Sequence, residues 1–298
     1  MQTDQLTQNL VDFADERGAD GEPFDIGIPG VTLVRQRHKT HVYPVVFHPI
    51  FCLVLQGAKQ TYVGGRTVSF ASGQSLIVGL DLPAESRVIE ASSQKPYVAL
   101  ALDLDMVLLR ELSGEINLLE QGNEKTVAVT SGKADGAIVD AMRRLFELTE
   151  MPEATAVLEP LIKREVHFWL LKAAHCAILR QLVRRDSRAA RISTAIARIK
   201  REFATALRVE DLAQDAAMSV SAFHAAFKDI TGTTPLQFQK MLRLMEARRL
   251  LQNEKLPVSN TAFQVGYESP TQFSREYSRQ FGQTPRADKV GSSGVSVR

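Results

Sequence analysis

Two short runs of side chains carry the chemistry that organises this sequence. In S-A-F-H-A-A-F-K, residues Ser221, His224, Ala225 and Lys228 follow the i, i+3, i+4, i+7 spacing of one helix face. In T-Q-F-S-R-E-Y-S-R, residues Thr271, Ser274, Arg275 and Ser278 do the same, flanked by Gln272 and Arg279. Such a face holds hydroxyls, an imidazole, an amide and a few cations, with no bulk between them. It suits the floor of a DNA major groove, where donors and acceptors must come close to base edges. Two ordinary amphipathic helices with solvated faces would show the same pattern. What favours base reading is that the runs are two copies of one unit.

The duplication spans residues 209 to 285. Ala213 matches Ala262 at an offset of 49, and after one inserted residue Phe223 matches Phe273, Phe227 matches Tyr277, Gly232 matches Gly282 and Pro235 matches Pro285. In the first copy Val209, Leu212, Ala213 and Ala216 recur at helical spacing. Ala217-Met218-Ser219 then offers a tight turn with Ser219 as a cap. In the second copy Gly266 stands at the turn, and Ser269-Pro270 supplies an N-cap followed by proline at the first helical position. Phe223, Phe227 and Ile230 in one copy, and Phe273, Tyr277 and Phe281 in the other, are expected to face inward. The pattern predicts two helix-turn-helix units, over 209–230 and 258–281.

The run F-S-R-E-Y-S-R-Q-F-G-Q-T-P resembles the C-terminal signature of the AraC/XylS family of bacterial transcription regulators. The resemblance implies two helix-turn-helix motifs bridged by a long helix, and residues 235 to 251, capped by Thr234, fit that bridge. Leu236, Met241, Leu244 and Leu251 are expected to pack the halves together, and Lys240, Arg243, Arg248 and Arg249 to face solvent or phosphate. Arg275 matches the base-reading arginine of the second recognition helix, and Ser221, His224 and Ala225 match reading positions of the first. Many relatives carry arginine where Ala225 stands. The first half-site should therefore be read weakly, by His224, Lys228 and DNA shape, while the second dominates specificity. The implied partner is double-stranded promoter or operator DNA, with the two reading helices roughly one turn, ~34 Å, apart, and RNA polymerase is a further candidate partner.

Charge divides the chain along the same line. Residues 188 to 298 hold seventeen Lys and Arg against ten Asp and Glu, whereas residues 1 to 187 hold nineteen against twenty-four. That is the outline expected if only the C-terminal part meets phosphate. The 298 residues leave room for two domains, predicted at 1–186 and 187–298. The N-terminus is polar and lacks the basic and apolar regions of a signal peptide, and no apolar run nears the ~18 residues of a membrane span, so a cytoplasmic location is expected. Cys52 and Cys176 are too few for a disulfide framework or a structural zinc site, and are expected to be reduced packing residues unless adjacency makes them a redox pair.

Between residues 30 and 105, short β-branched or apolar runs alternate with Gly, Pro and polar turns, and Gly64-Gly65 marks a two-residue hairpin. The predicted fold class is α+β. A small antiparallel β-barrel, cupin-like, is followed by helices over about 132–185 and then by an all-α double helix-turn-helix domain. The runs F-H-P-I-F-C-L-V-L-Q-G-A-K-Q, L-D-L-P-A-E-S-R-V and P-Y-V-A-L-A-L-D-L-D resemble the N-terminal effector domain of one AraC-type subfamily. A barrel of that kind can enclose one small molecule, of unknown identity here. Strand alternation nominates Phe51, Leu53, Leu55, Tyr62 and Leu76 as inward-facing, with Arg35, Arg37 or Lys59 able to meet an anionic or carbonyl group at the mouth. Residues 132 to 185 read as two helices broken near Met151-Pro152. The second carries an apolar surface wide enough to need cover on two sides, a homodimer contact being one candidate. Residues 184 to 188 read as a charged hinge.

An enzyme is the alternative from another class. His38, His41 and His48 lie close together, and a cupin-like barrel can hold a metal. The further carboxylate and histidine of that pattern are missing, so no metal or other cofactor is expected. No G-x-S-x-G, Cys/His spacing or phosphate-cradling glycine loop supports nucleophilic or ATP-driven catalysis.

Overall fold

The computed structural model describes residues 2–116, 126–254 and 256–291. Helix α1 (Gln2–Glu16) leads into nine strands: β1 (Phe24–Asp25), β2 (Val31–Gln36), β3 (Tyr43–Phe47), β4 (Ile50–Gln56), β5 (Ala58–Val63), β6 (Arg66–Ala71), β7 (Gln74–Val78), β8 (Leu82–Glu90) and β9 (Tyr97–Asp103). Helix α2 (Met106–Glu115) and strand β10 (Val129–Lys133) follow, then helices α3 (Gly136–Glu147), α4 (Pro152–Lys172) and α5 (Ala177–Val183). The remaining helices are α6 (Arg188–Glu202), α7 (Val209–Asp215), α8 (Val220–Thr231), α9 (Pro235–Arg249), α10 (Val258–Gln264), α11 (Pro270–Phe281) and α12 (Pro285–Gly291). The predicted domain limit at 298 lies outside the described residues.

The strands form two antiparallel sheets, ordered β1-β2-β9-β4-β7-β10 and β3-β8-β5-β6. They lie face to face as an open-edged sandwich rather than a closed barrel. Gly64 and Gly65 form the β5–β6 turn with φ of 52° and 77°, the positive values that a two-residue hairpin needs. Strand β10, in the run V-T-S-G-K, pairs with β7 and was hidden by its polar composition.

Cross-strand partners share a face, so a few anchored residues fix which side each strand buries. On the six-stranded sheet Arg35 forms an ion pair with Asp15 of α1, Ser75 Oγ lies 2.9 Å from His175 Nε2, and Thr130 Oγ1 donates to the His175 carbonyl at 2.7 Å. Arg35 pairs with Val98, Leu33 and Leu53 with Leu100, Phe51 with Leu102, and Leu53 with Ser75. All of these therefore face the helices. The opposite face, toward the second sheet, carries Val34, Cys52, Val54, Leu76, Tyr97 and Ala99. Val31, Leu33 and Arg35 on β2 and Val98, Leu100 and Leu102 on β9 are buried on the helical side because α1, α4 and α5 cover it.

The helices are placed by specific contacts as well as by apolar burial. Asp105 caps α2 by accepting from the Val107 and Leu108 amides. The buried His167 ring of α4 accepts from the Asp105 amide through Nε2 at 2.9 Å, while Nδ1 lies 2.7 Å from the Lys163 carbonyl. That pairing requires a neutral Nδ1–H tautomer, and burial pushes the imidazole below its usual range. The expected single helix up to residue 185 is interrupted: α4 ends at Lys172, the Ala173–Cys176 segment turns, and α5 restarts at Ala177. Cys176 is buried on this helical side, whereas Cys52 faces between the sheets. The two thiols stand on opposite sides of the six-stranded sheet and cannot pair. Ser187 N-caps α6 through the Ala190 amide, so the expected hinge is a short turn between two helices.

The helical C-terminal part rests on the four-stranded sheet. Gln280 donates to Glu85 at 2.8 Å, Arg66 to the Asp229 carbonyl at 3.1 Å, and the Ala128 amide to the Ile230 carbonyl at 2.9 Å. Lys200 pairs with Asp81. At the β5–β6 turn Gly64 and Gly232 meet backbone to backbone, and a Cβ on Gly64 would lie 2.5 Å from the Gly232 Cα.

Candidate DNA interface

The two copies found in the sequence fold alike. Helices α7 and α8 form the first helix-turn-helix, and α10 and α11 the second. Ala213 and Ala262 are buried at the helix crossings, and Phe223, Phe227, Phe273 and Tyr277 are fully buried. Ser219 accepts from the Ala222 amide and Ser269 from the Gln272 amide, both at 3.3 Å, capping the two second helices. Each of these helices ends in a left-handed glycine, Gly232 with φ 81° and Gly282 with φ 72°. The turns correspond as well: Ala217 and Gly266, the offset of 49 apart, both have positive φ.

The bridge predicted between the units is α9, extended by a π-helical turn over Leu250–Glu254. Leu244 and Leu251 are buried in it, Met241 is half-buried, and Leu236 is exposed rather than packed. Its cations also depart from expectation. Arg243 is turned inward and donates from Nε to the Phe203 carbonyl at 2.7 Å, from Nη1 to Gly266 at 2.8 Å and from Nη2 to Thr205 at 2.8 Å. Arg248 pairs at 3.1 Å with buried Asp288, which also accepts from Tyr277 and Gln252. Lys240 meets Glu276 at 3.0 Å, and Arg249 meets Glu246 and Glu254. Arg243, Arg248 and Lys240 thus tie α9 to other segments of the domain, while Arg249 pairs within α9 and the turn that extends it. Sequence could not reveal this, because the partners of Arg243 are backbone carbonyls some forty residues upstream and twenty downstream.

The outward faces of α8 and α11 contrast with the bridge. Ser221, Ala225 and Lys228 are exposed on α8, and His224 stands half-exposed against the Phe223 ring. On α11, Thr271, Gln272, Arg275 and Arg279 are exposed. Pro270, Thr271, Ser274, Arg275 and Ser278 line one open concavity. Ser274 and Ser278 donate back to the Pro270 and Ser274 carbonyls at 2.8 Å, leaving their oxygens outward as acceptors. Lys228, Arg275 and Arg279 have no ion-pair partner among the described residues, so their charge is available to a ligand.

The proposed effector contacts are dispersed. Arg35, Phe51 and Leu53 face the helices, Leu55 falls in the β-bulge of β4, and Tyr62 lies on the outer face of the second sheet, donating to Gln60 at 2.7 Å. Of the six, Leu76 alone faces the space between the sheets. Burial of both faces of the six-stranded sheet hides which side Arg35, Phe51 and Leu53 take. His38, His41 and His48 are exposed, His48 pairing with Asp103 at 2.7 Å. No group of three or more His, Cys, Asp or Glu side chains among the described residues could hold a metal. No described helix is long and apolar enough to cross a membrane.

A sheet sandwich joined to paired helix-turn-helix units with uncommitted cations on their outer helices defines a DNA-binding regulator. Residues 27–178 match the AraC-type transcriptional regulator N-terminus and residues 212–289 a helix-turn-helix domain. The chain belongs to the AraC-type transcriptional regulators. It is 25% identical over 270 residues to the HTH-type transcriptional activator RhaS of Shigella sonnei (strain Ss046), covering 90% of this chain and 91% of RhaS. RhaS of Escherichia coli (strain K12 / DH10B) matches to the same extent, at 25% over 270 residues. In fold it is similar to ToxT of Vibrio cholerae. The unsaturated-fatty-acid-bound form superposes with a TM-score of 0.55 at 12% identity, over 90% of this chain and 97% of ToxT. The form of strain O395 bound to (E)-4-(8-methylnaphthalen-1-yl)but-3-enoic acid gives 0.56 at 12%, over 88% and 98%.

Proposed function

We propose that residues 187–298 bind promoter DNA through α8 and α11 and that residues 1–186 form the sensor and dimerisation domain. The observation that carries the DNA reading is the contrast between paired cations on the bridge helix and unpaired Lys228, Arg275 and Arg279 on the outer helices. Arg275 reads guanine in the second half-site, supported by Thr271, Gln272, Ser274, Ser278 and Arg279. Ser221, His224, Ala225 and Lys228 face the first. RNA polymerase is the machinery such a promoter-bound protein would influence, and its site of action is the cytoplasm.

Footprinting of the full-length protein on DNA upstream of its own gene tests this. Protection over two successive major-groove segments is expected, weakening steeply with salt. Arg275→Ala should weaken specific binding by ~1–3 kcal/mol, roughly 5- to 150-fold, and relax preference at one base pair. Ala225→Arg should sharpen preference in the other half-site. Unchanged sequence preference in both variants would sink the assignment of reading residues.

A homodimer is supported by the outer stripe of α4. Val157 is 64% and Leu161 60% exposed, Leu158 lies beside them, and Val107 of the adjoining α2 is 62% exposed. An apolar stripe of this kind, rimmed by the Arg164–Glu115 pair, fits a second copy related by a two-fold axis. Leu161→Glu should shift sedimentation from dimer to monomer with the unfolding midpoint preserved. A wild-type protein that sediments as a monomer at tens of micromolar would remove the proposal.

An effector would act through the four-stranded sheet. Its outer face holds α9, Asp229 and Gln280 of the DNA-binding part, so a ligand pressing on its inner face reaches both reading units.

A further inference from the structure

The two reading helices differ at one place where their duplication would make them alike. Along α11, Thr271, Arg275 and Arg279 follow one another at i, i+4, i+8 and form a single row. In α8, at the spacing that relates Phe223 to Phe273, the same row reads Ser221, Ala225 and Asp229. The second helix ends its row on a cation and the first on an acid. In helix-turn-helix docking the N-terminal residues of a reading helix reach the bases, and its far end comes out beside the phosphate backbone. A bare carboxylate there would repel DNA.

Asp229 is not bare. Arg188, the first residue of α6, meets its carboxylate at 3.2 Å, and Arg66 donates from Nη2 to its backbone carbonyl at 3.1 Å. Arg66 belongs to the β5–β6 hairpin of the N-terminal part, and that hairpin is fixed against the last turn of α8. A Cβ on Gly232 would lie 2.7 Å from the Gly64 carbonyl oxygen, and close by the Ala128 amide donates to the Ile230 carbonyl at 2.9 Å. Arg66 thus caps one of the last-turn carbonyls of α8 that have no partner within the helix. Capping uses one nitrogen of the guanidinium. Arg66 stays exposed and forms no ion pair among the described residues, and the Arg188 side chain is 61% exposed. Two guanidiniums around one carboxylate leave this end of α8 positive. At the matching end of α11 the N-terminal part presents an acid, Glu85, to Gln280, and the helix supplies its own cation in Arg279.

We propose, on the DNA reading given above, that Arg66 and Arg188 hold the backbone phosphate beside the first reading helix, in the place that Arg279 takes beside the second. The β5–β6 hairpin of the N-terminal part then forms one edge of the DNA surface. Arginine suits the position of Arg66, because its fork can donate to the Asp229 carbonyl through one nitrogen and to phosphate oxygens through the others. The first half-site, which has no long reader at Ala225, gains from it affinity without sequence information. Full DNA affinity therefore requires the hairpin to stay seated on α8.

Binding of the full-length protein to the DNA segment upstream of its own gene, and to a shuffled duplex of the same length, tests this over a salt series. Arg66→Gln should weaken binding to both duplexes by about tenfold and reduce the slope of log affinity against log salt by about one, with base preference unchanged. Arg188→Gln, which leaves the hairpin contact intact, should lower the slope in the same way. Asp229→Arg gives α8 the cation that α11 carries, and in that background Arg66→Gln should cost less than about threefold because both side chains serve one phosphate. Unchanged affinity and slope in Arg66→Gln would overturn the proposal. So would weaker binding at an unaltered slope, which marks Arg66 as a strut between the two parts, or an Arg66→Gln loss as large with Asp229→Arg as without it. Unfolding midpoints separate a lost contact from a lost fold, and should Arg66→Gln melt early, the slope of Arg188→Gln decides. Arg275→Ala, measured alongside, distinguishes the two readings. Lost base preference in Arg275→Ala beside a wild-type-like Arg66→Gln keeps the DNA reading and removes the phosphate contact, whereas wild-type protein that binds neither duplex removes both.

Discussion

Gly266→Ala is expected to lower the unfolding midpoint of the DNA-binding part by more than ~10 °C and to abolish specific DNA binding. Gly266 has φ +86°, a left-handed value that costs an L side chain ~1–2 kcal/mol. A Cβ there would also lie 2.0 Å from the Ala204 carbonyl oxygen and 2.7 Å from its carbon, a clash with backbone that no rotamer change relieves. Strain and displacement together should exceed about 3 kcal/mol, a large part of the stability of a domain of this size. The corresponding residue of the first unit supplies the control. Ala217 holds the same left-handed turn with φ 50° but is exposed, so Ala217→Gly should be neutral or mildly stabilising. Equal melting of Gly266→Ala and wild-type protein would mean that the turn does not pack against the Ala204 segment in solution.

That contrast shows what could be read from the chain and what could not. The double helix-turn-helix was legible because its determinants are local: aromatic residues at helical spacing, Ser219 and Ser269 at the caps, and Gly232 and Gly282 at the ends, all repeated at a constant offset. The sheets were legible as strands but not as faces. Strand β9 is buried from Tyr97 through Leu102, so its two sides look the same in sequence, and the bulge at Leu55 shifts the phase of β4. Phe51 and Leu53 hold the helices, whereas Cys52 and Lys59 face the space between the sheets. Why Gly266 rather than alanine stands at the second turn depends on Ala204, sixty residues upstream, which no local pattern marks.

Arg243→Ala is expected to uncouple the two reading units. The guanidinium is half-buried, and burial works against its charge, yet it is held by three carbonyls from two segments: Phe203 and Thr205 after α6, and Gly266 in the second turn. Gln239, one helical turn earlier on α9, donates to the same Phe203 and Thr205 carbonyls at 2.9 and 2.7 Å. Truncation at 243 would leave Gly266 without this partner and remove charge-assisted bonds whose combined, non-additive cost is roughly 3–5 kcal/mol. Lysine could not replace it, because one ammonium cannot span carbonyls that the planar fork reaches from three nitrogens. The connection between α6 and the first unit and the turn of the second unit would then be fixed independently of each other. A domain that still folds should keep contacts within each unit but lose their common spacing, so protection should shrink from two groove segments toward one while salt dependence falls. Gln239→Ala should produce a weaker form of the same defect, and the double variant should be less than additive because the two side chains share acceptors. An undiminished two-segment footprint from Arg243→Ala would show that α9 packing alone, through Leu244, Ala247 and Leu251, sets the spacing of the reading helices.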